Sequence, residues 1–332
     1  MTRAAIASEA DIIQSYFAPL AAGFAGAHGL RDDAASLAPP PGMDLVLTMD
    51  AIAAGVHFFP DDPPADIGWK ALAVNVSDLA AKGAQPYAYL MSLAFPGPPS
   101  REWMAPFAAG LGEAQRTFGL SLIGGDTDHR PGPLSITITA LGVVPHAKMV
   151  ARCTPGVGDQ VLVSGTLGDS ALGLMLRADA AKWSLSDDHR ACLNARYLRP
   201  QPRLALAPLL REYASAAMDI SDGLWKDLSR MVEPKRIGAR IYPARLPLSD
   251  AARAVVEQDP AALGAILTGG DDYEVLTTMP PESAAAFTAA AAAVGVAITD
   301  IGVIGGAHQV YFLDGQDQEI HLTLNRPGYD HF

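Results

Sequence analysis

The residues of this chain best suited to chemistry are its aspartates. Asp32-Asp33, Asp50, Asp78, Asp126, Asp219 with Asp222, and Asp271-Asp272 recur at the ends of short apolar runs or beside glycine. Carboxylates so placed project into a cleft instead of along a solvated helix face. A hard cation such as Mg²⁺ takes oxygen ligands in near-octahedral geometry, commonly one or two carboxylates completed by phosphate oxygens and water. Several carboxylates delivered from separate segments could hold more than one such ion. The competing reading is structural, because Asp favours turns and helix N-caps, where its side chain accepts backbone N–H bonds. That reading suffices for any one of these residues and weakens for the set.

The spacings around them sharpen the choice. Gly124-Gly125-Asp126-Thr127 offers unhindered N–H groups beside a carboxylate, as a phosphate–metal site requires, although Gly-Gly-Asp also makes ordinary turns. Ser221-Asp222-Gly223-Leu224 sits at a helix start and could be only an N-cap, but Asp219, two residues upstream on a strand, has less structural reason to be there. Asp78 and Lys82 stand four apart on a helix, so a salt bridge competes with metal ligation. Their apolar neighbours Val74, Val76 and Leu79 indicate a buried setting, which favours a function for Asp78. No Gly-x4-Gly-Lys-Ser/Thr loop, kinase glycine loop with His-Arg-Asp, HExxH or Gly-x-Ser-x-Gly is present, so nucleophilic Ser or Cys catalysis has no support.

The elements that must position these residues alternate apolar runs with helical patterns, an α/β (α+β) arrangement. Ser8-Glu9-Ala10-Asp11 resembles a capping box opening a helix to about Leu20. Strands are expected over Asp44–Asp50, Tyr87–Phe95, Leu120–Ile123 and Leu134–Val144, with helices over Ile67–Lys82 and Arg101–Phe118. Leu120–Ile123 is read as ending in the Gly124-Gly125-Asp126 turn. Pro145 to Gly158, rich in Pro, Gly and basic residues, reads as a linker between domains 1–145 and 146–332. The second block repeats the alternation, with strands at Gln160–Ser164, Ala214–Ile220, Tyr273–Met279 and Ile298–Ile304, and helices after Gly168 and Gly223. Ser283–Thr299, rich in alanine, reads as a core or surface helix rather than a membrane span.

Composition bounds the partners. The 332 residues are 49% hydrophobic and 18% charged, enough apolar matter for a sizeable core and too little charge for disorder. The formal charge of −12 argues against nucleic acid as partner. Cys153 and Cys192 make no disulfide framework and lack metal-ligand spacing, as expected of reduced thiols in a cytoplasmic protein. Acids at Glu9 and Asp11 precede any long apolar run, so the N-terminus does not read as a signal peptide, and no membrane association is expected.

Together the motifs resemble the thiamine-monophosphate kinase family. The resemblance rests on Asp32-Asp33-Ala34-Ala35, LTMD (47–50), GVHF (55–58), GWKALAVNVSDLAA (68–81), IGGDT (123–127), GDSALGL (168–174), RYLRPQPR (196–203), DISDGL (219–224), GGDDYE (269–274) and GYDHF (328–332). It runs in order over essentially the whole chain, and VNVSDLAA and GYDHF separate it from aminoimidazole ribonucleotide and selenophosphate synthetases. It implies a two-domain fold like that of aminoimidazole ribonucleotide synthetase, with the N-terminal domain forming a homodimer interface and binding metal and ATP. The C-terminal domain would complete the active site. The implied reaction is Mg²⁺-dependent transfer from ATP to thiamine phosphate, giving thiamine diphosphate. Carried over by position, the metal ligands fall on Asp33, Thr48, Asp50, Asp78, Asp126, Asp219 and Asp222. Nucleotide contacts fall on Gly125, Asp126, Arg152 and Ser221, and thiamine phosphate contacts on His57, Asp271 and Tyr329. Asp50, Asp126 and Arg152 are the expected catalytic set.

Three positions depart from the family pattern. Arg31 replaces a glycine before the Asp pair, Met49 replaces a threonine beside Asp50, and Asp271 replaces the commoner glutamate. None removes a carboxylate. A metal contact at Met49 would have to use its backbone carbonyl. The chemistry fits the motifs without a kinase catalytic loop. A phosphate monoester has a second pKa of about 6 and is largely deprotonated at neutral pH, so its attack needs no side-chain base. The obstacle is repulsion between polyanions, about 4 kcal/mol for each pair of like charges 4 Å apart at an effective dielectric of 20, which metal ions would offset. Arg152 is an additional cationic clamp or else a solvated surface residue. His57 orients the acceptor or else packs in the core, and Tyr329 touches substrate or else anchors the C-terminus. A Mg²⁺-dependent phosphohydrolase and a non-catalytic binding protein remain as other classes.

Overall fold

The computed structural model describes Ile6, residues 8–320 and Gly328. Tyr329, and with it most of GYDHF, lies outside the described residues. The chain divides into two compact units. The first holds the described residues up to Leu79 together with Ala84–Ala147, and the second holds Ala80–Gly83 and the described residues from Lys148 onward.

In the first unit Ser8 caps α1 (Glu9–Ile12), its hydroxyl accepting the Asp11 N–H at 3.2 Å. The path then widens into a π turn over Ile13–Phe17 before α2 (Ala18–Ala21). The regular helix expected to Leu20 is therefore broken into pieces, since Pro19 has no N–H to give the preceding turn. Next come β1 (Met43–Ala53), α3 (Pro64–Ala81), β2 (Gln85–Phe95), α4 (Arg101–Phe118), β3 (Ser121–His129) and β4 (Ser135–Pro145). The strands form one sheet in the order β1-β4-β2-β3, with β2 and β3 parallel and the other pairs antiparallel. Along β1, Val46 and Ile52 are buried, whereas Leu47 and Met49 are 61% and 65% exposed. Alternation along the strand thus gives β1 a covered face and an open one, and across the sheet the open side is covered at Ala88, which packs against Ala21 and Ala27.

The turn expected at Gly124-Gly125-Asp126 is not there. The three residues continue β3 and pair in register with Leu90, Met91 and Ser92 of β2. The glycines serve a close approach instead: a Cβ on Gly125 would lie 1.9 Å from the Met91 carbonyl oxygen. Beside an irregularity in register at Tyr89/Leu90, only glycine lets the two parallel strands meet.

The second unit is built from β5 (Gln160–Ser164), α5 (Asp169–Ala178), α6 (Asp187–Leu198), α7 (Ala207–Tyr213), β6 (Ala216–Asp219), α8 (Leu224–Val232), β7 (Ile237–Ile241), α9 (Asp250–Gln258), α10 (Ala262–Thr268), β8 (Val275–Met279), α11 (Pro281–Ala293), β9 (Ile298–Ala307) and β10 (Val310–Phe312). Its sheet has the order β10-β7-β9-β5-β8-β6. Val161 and Val163 of β5 join one apolar cluster with Leu172, Leu228 and Val255, while Leu162 joins another with Leu210 and Phe287. Helices therefore cover both faces of this sheet, which explains why β5 reads as a continuous apolar run. The helix expected over Ser283–Thr299 stops at Ala293, and β9 begins at Ile298, where the strand expected over Ile298–Ile304 begins. Alanine content carried the helical expectation past Gly295 into β-branched Val296, Ile298 and Thr299, which fit a strand better.

Candidate functional site

In the first unit the covered face of β1 meets α3. The Thr48 hydroxyl donates to Asp78 Oδ2 at 2.5 Å, and the Asp50 N–H donates to Asn75 Oδ1 at 2.9 Å. Asn75 is fixed in turn by its Nδ2 donating to the Ala71 carbonyl at 3.1 Å. Asn75 and Asp78, about one turn apart on α3, thus hold alternate residues of β1, so three of the expected metal ligands gather here. The Lys82 ammonium donates to the Ala217 carbonyl at 2.7 Å. Met49 projects to the open face, away from Thr48 and Asp50, so its side chain has no part in that cluster.

Beyond β1 the chain turns at Gly55 and presents His57. Its Nδ1 accepts the Ala53 N–H at 3.1 Å, so the neutral ring carries its proton on Nε2. The buried Lys70 ammonium donates to the His57 carbonyl at 3.0 Å, and Asp62 accepts the Phe59 N–H at 2.8 Å. Asn75, Lys70 and Asp62 had not been singled out in the sequence. The first two lie inside the 68–81 motif, and that was the available signal.

Asp33, Gly125 and Asp126 line one cavity of about 580 Å³ with Leu90 and Met91. Asp126 stands in a row with Ser92, Thr137 and Ala51, and therefore on the open face. Asp50 stands in the next row, with Ile138 and Met91, on the covered face. The two carboxylates lie at opposite edges of the sheet, three strand spacings or about 14 Å apart. One copy of the chain does not bring them together.

In the second unit, Asp219 ends β6 and is buried, and Ser221 and Asp222 follow in a loop before α8. The fully buried Asp227 holds that loop: its Oδ2 accepts the N–H of Ser221 at 3.0 Å and of Asp222 at 2.9 Å. Burial pushes the Asp227 carboxyl up to about 6, against the Asp222 N–H, which lowers it; the Asp222 charge adds to the rise, and Arg230 and the Ser221 N–H oppose it. Arg230 also grips Asp222 and reaches Asp227 Oδ1 at 3.2 Å, with Lys226 at 3.7 Å from Asp222. The segment bearing Arg152 runs beside β6, the Ala217 N–H donating to the Ala151 carbonyl at 3.2 Å, and Arg152 itself is exposed.

Asp271 lies across from this loop. The Asp271 N–H donates to the Ser221 carbonyl at 2.9 Å, and the Tyr273 N–H to that of Ile220 at 2.8 Å. Glu274, wholly buried, receives Arg196 at 2.7 Å, Arg203 at 2.5 and 2.7 Å, and the Ser164 hydroxyl at 2.6 Å. Burial raises the Asp272 carboxyl well above its usual range, opposed by the Gly168 N–H it accepts at 2.8 and 3.0 Å. Asp227, Tyr273 and Glu274 went unassigned in the sequence, although each stands in or just after a quoted motif. Among the described residues, no three His, Cys, Asp or Glu side chains gather closely enough to hold a metal ion alone.

Comparison with known proteins places this arrangement. Residues 31–144 match the family model for the AIR synthase related protein, N-terminal domain, and residues 156–314 match that for the C-terminal domain. Thiamine-monophosphate kinase of Caulobacter vibrioides is 39% identical over 99% of this chain and 92% of its own length. The chain belongs to the thiamine-monophosphate kinase family. The crystal structure of the Stenotrophomonas maltophilia K279a member is 37% identical, with a TM-score of 0.79 over 85% of this chain and 89% of that one. A second family structure, AaThiL complexed with AMPPCP and TMP, is 30% identical, with a TM-score of 0.77 over 89% of each chain. The family's two AIR-synthase-type domains thus account for the mixed architecture of both units. No described helix is long and apolar enough to cross a membrane.

Proposed function

We propose that this chain transfers the γ-phosphoryl group of ATP to thiamine phosphate, giving ADP and thiamine diphosphate. The observation that carries the reading is the near full-length match to thiamine-monophosphate kinases, one of them complexed with AMPPCP and TMP. The acceptor's terminal phosphate oxygen attacks the γ-phosphorus in line as the bond to the ADP oxygen breaks. No side-chain base is needed, because that oxygen has already lost its proton at neutral pH.

The residues present fit Mg²⁺. Thr48, Asp50 and Asp78 form an all-oxygen set, as do Asp33 with Asp126, and Asp219 with Asp222; hard oxygen donors are what this ion selects. When bound, Mg²⁺ would neutralise phosphate charge and ease the approach of the two polyanions. On the chain's side, the Gly125 backbone admits the nucleotide beside Asp126. The Asp227 carboxylate fixes the Ser221 and Asp222 backbone, and Arg152 adds a positive charge beside β6. His57 offers Nε2–H to the acceptor, and Asp271 and Tyr329 complete the thiamine phosphate contacts.

The working unit is a homodimer formed through the first unit's sheet. Leu47, Met49 and Leu90, exposed together on its open face, supply an apolar surface for a second copy. The separation of Asp50 from Asp126 supports the same reading, since a second copy can supply the proximity that one lacks. To test the reaction, purified protein is mixed with ATP, Mg²⁺ and thiamine phosphate and the products are separated by chromatography. Thiamine diphosphate is expected, its formation stopped by EDTA and restored by Mg²⁺. Free phosphate without thiamine diphosphate would select a phosphohydrolase, and binding without turnover would leave a binding protein. Sedimentation tests the dimer, with Met49→Asp expected to shift the chain towards monomer.

A further inference from the structure

The antiparallel pairing of β6 with β8 does not stop at the strand ends. The Ile220 N–H donates to the Glu274 carbonyl at 2.9 Å, the Tyr273 N–H to the Ile220 carbonyl at 2.8 Å, and the Asp271 N–H to the Ser221 carbonyl at 2.9 Å. The loop 271–274 is thereby zipped onto the loop that follows Asp219 and carries Ser221 and Asp222. Two acids turn inward and pin it. Asp272 accepts the Gly168 N–H, and Glu274 is held by Arg196, Arg203 and the Ser164 hydroxyl. The other two residues, Asp271 and Tyr273, have φ of +68° and +50°, a left-handed backbone that non-glycine residues adopt only when their surroundings impose it. Between them runs a side-chain bond, the Tyr273 hydroxyl donating to Asp271 Oδ1 at 3.0 Å.

We propose that Tyr273 is a positioning residue for thiamine phosphate, its hydroxyl holding the Asp271 carboxylate in the orientation that receives the substrate. The proposal rests on the reading of Asp271 as a substrate contact. A carboxylate on a short side chain meets a cationic or N–H-bearing ring only in a narrow range of torsions. A hydrogen bond to one oxygen fixes that torsion before the ligand arrives, which lowers the ordering cost of binding. Tyr273 suits the task because its ring is almost fully buried and cannot follow the carboxylate into other rotamers. The backbone that carries both residues is locked by three backbone hydrogen bonds and two buried acids.

The test is steady-state kinetics on the full chain with Tyr273→Phe, Asp271→Asn and the double variant. Tyr273→Phe should raise KM for thiamine phosphate about tenfold, the scale of one hydrogen bond to a charged group, with kcat and KM for ATP within about twofold of the parent. The double variant should match Asp271→Asn, because the hydroxyl acts only through that carboxylate. A parental KM in Tyr273→Phe while Asp271→Asn raises it would overturn the proposal and leave the role of Asp271 standing. Effects that multiply in the double variant would equally overturn it. If Asp271→Asn itself left KM unchanged, the assignment of Asp271 would fall and the proposal with it. A merely structural role predicts a lowered Tm and a common loss towards both substrates.

Discussion

The two units hold most of their candidate functional residues in opposite ways. In the first, Thr48, Asp50 and Asp126 are members of regular strands, and Asp78 sits on a long helix. In the second, Ser221, Asp222 and Asp271 stand on loops, which are kept in place by acids and arginines beneath them. A strand supplies its own rigidity through the ladder of backbone bonds. These loops extend the β6–β8 ladder by only three backbone bonds and need side-chain anchors as well, which buried charge provides at a desolvation cost that only close pairing offsets. The first unit should therefore tolerate isosteric changes to its acids without loss of fold, whereas the second should lose structure when an anchor is removed.

The largest effect expected from this contrast is at Glu274. Replacing it with alanine leaves Arg196 and Arg203 without their buried partner and should cost about 3–5 kcal/mol, read as a denaturant midpoint shift. A shift below about 1 kcal/mol would mean that the arginines find water and the anchor is not needed. Next come Asp50→Asn and Asp126→Asn, which should each cut turnover by on the order of a hundredfold or more while leaving the midpoint unmoved. Near-parental turnover with unchanged metal content in either variant would sink the multi-metal reading.

A smaller effect distinguishes the acids by pH. Burial holds the folded pKa of Asp272 above the ordinary carboxylate value of 3.8, so the folded chain keeps a proton that the unfolded chain has lost. This residue's contribution to stability is accordingly full at acid pH and declines as pH rises through the folded value. Asp272→Asn mimics the protonated form and still accepts the Gly168 N–H. The Tm of the variant relative to the parent should climb as pH rises above 3.8, and parallel profiles would contradict the assignment. Smallest of all, Thr48→Val removes one hydrogen bond to Asp78 and should cost about 1 kcal/mol. Its effect on the Mg²⁺ concentration needed for half-maximal rate should be the more visible, since the hydroxyl is an expected ligand.

Regular elements were largely legible in the sequence. Arg101–Phe118 falls where its caps put it, Ser100 accepting the Trp103 N–H and Gly119 closing the helix. Such signals are local and act within a few residues. Expectations slipped where a distant strand decides the outcome. Gly124-Gly125 carries the composition of a turn, yet pairing with β2 keeps it extended. Ser283–Thr299 carries the composition of a helix, yet the helix stops at Ala293 and the strand expected from Ile298 takes the last residues into the sheet beside β5. The candidate acids were legible for a different reason, because carboxylates beside glycine and at strand ends are few. Their supports were not: Asn75, Asp227 and Glu274 look like any polar residue in a helix or at a strand's edge until the groups they hold are in view.

By itself the sequence marked out the candidate acids, the alternating elements that carry them, the family, and the chemistry that oxygen-rich donors and two phosphates allow. Residue type and short-range spacing suffice for these, since hardness of ligands, caps and periodicity are local properties. Only the tertiary structure decided that Met49 faces away from the Thr48–Asp78 pair, that Asp50 and Asp126 lie on opposite faces at opposite edges of one sheet, and that the Asp271 loop is zipped to the Asp222 loop. Those facts depend on strand order and on contacts between residues far apart in the chain, and no local pattern encodes them.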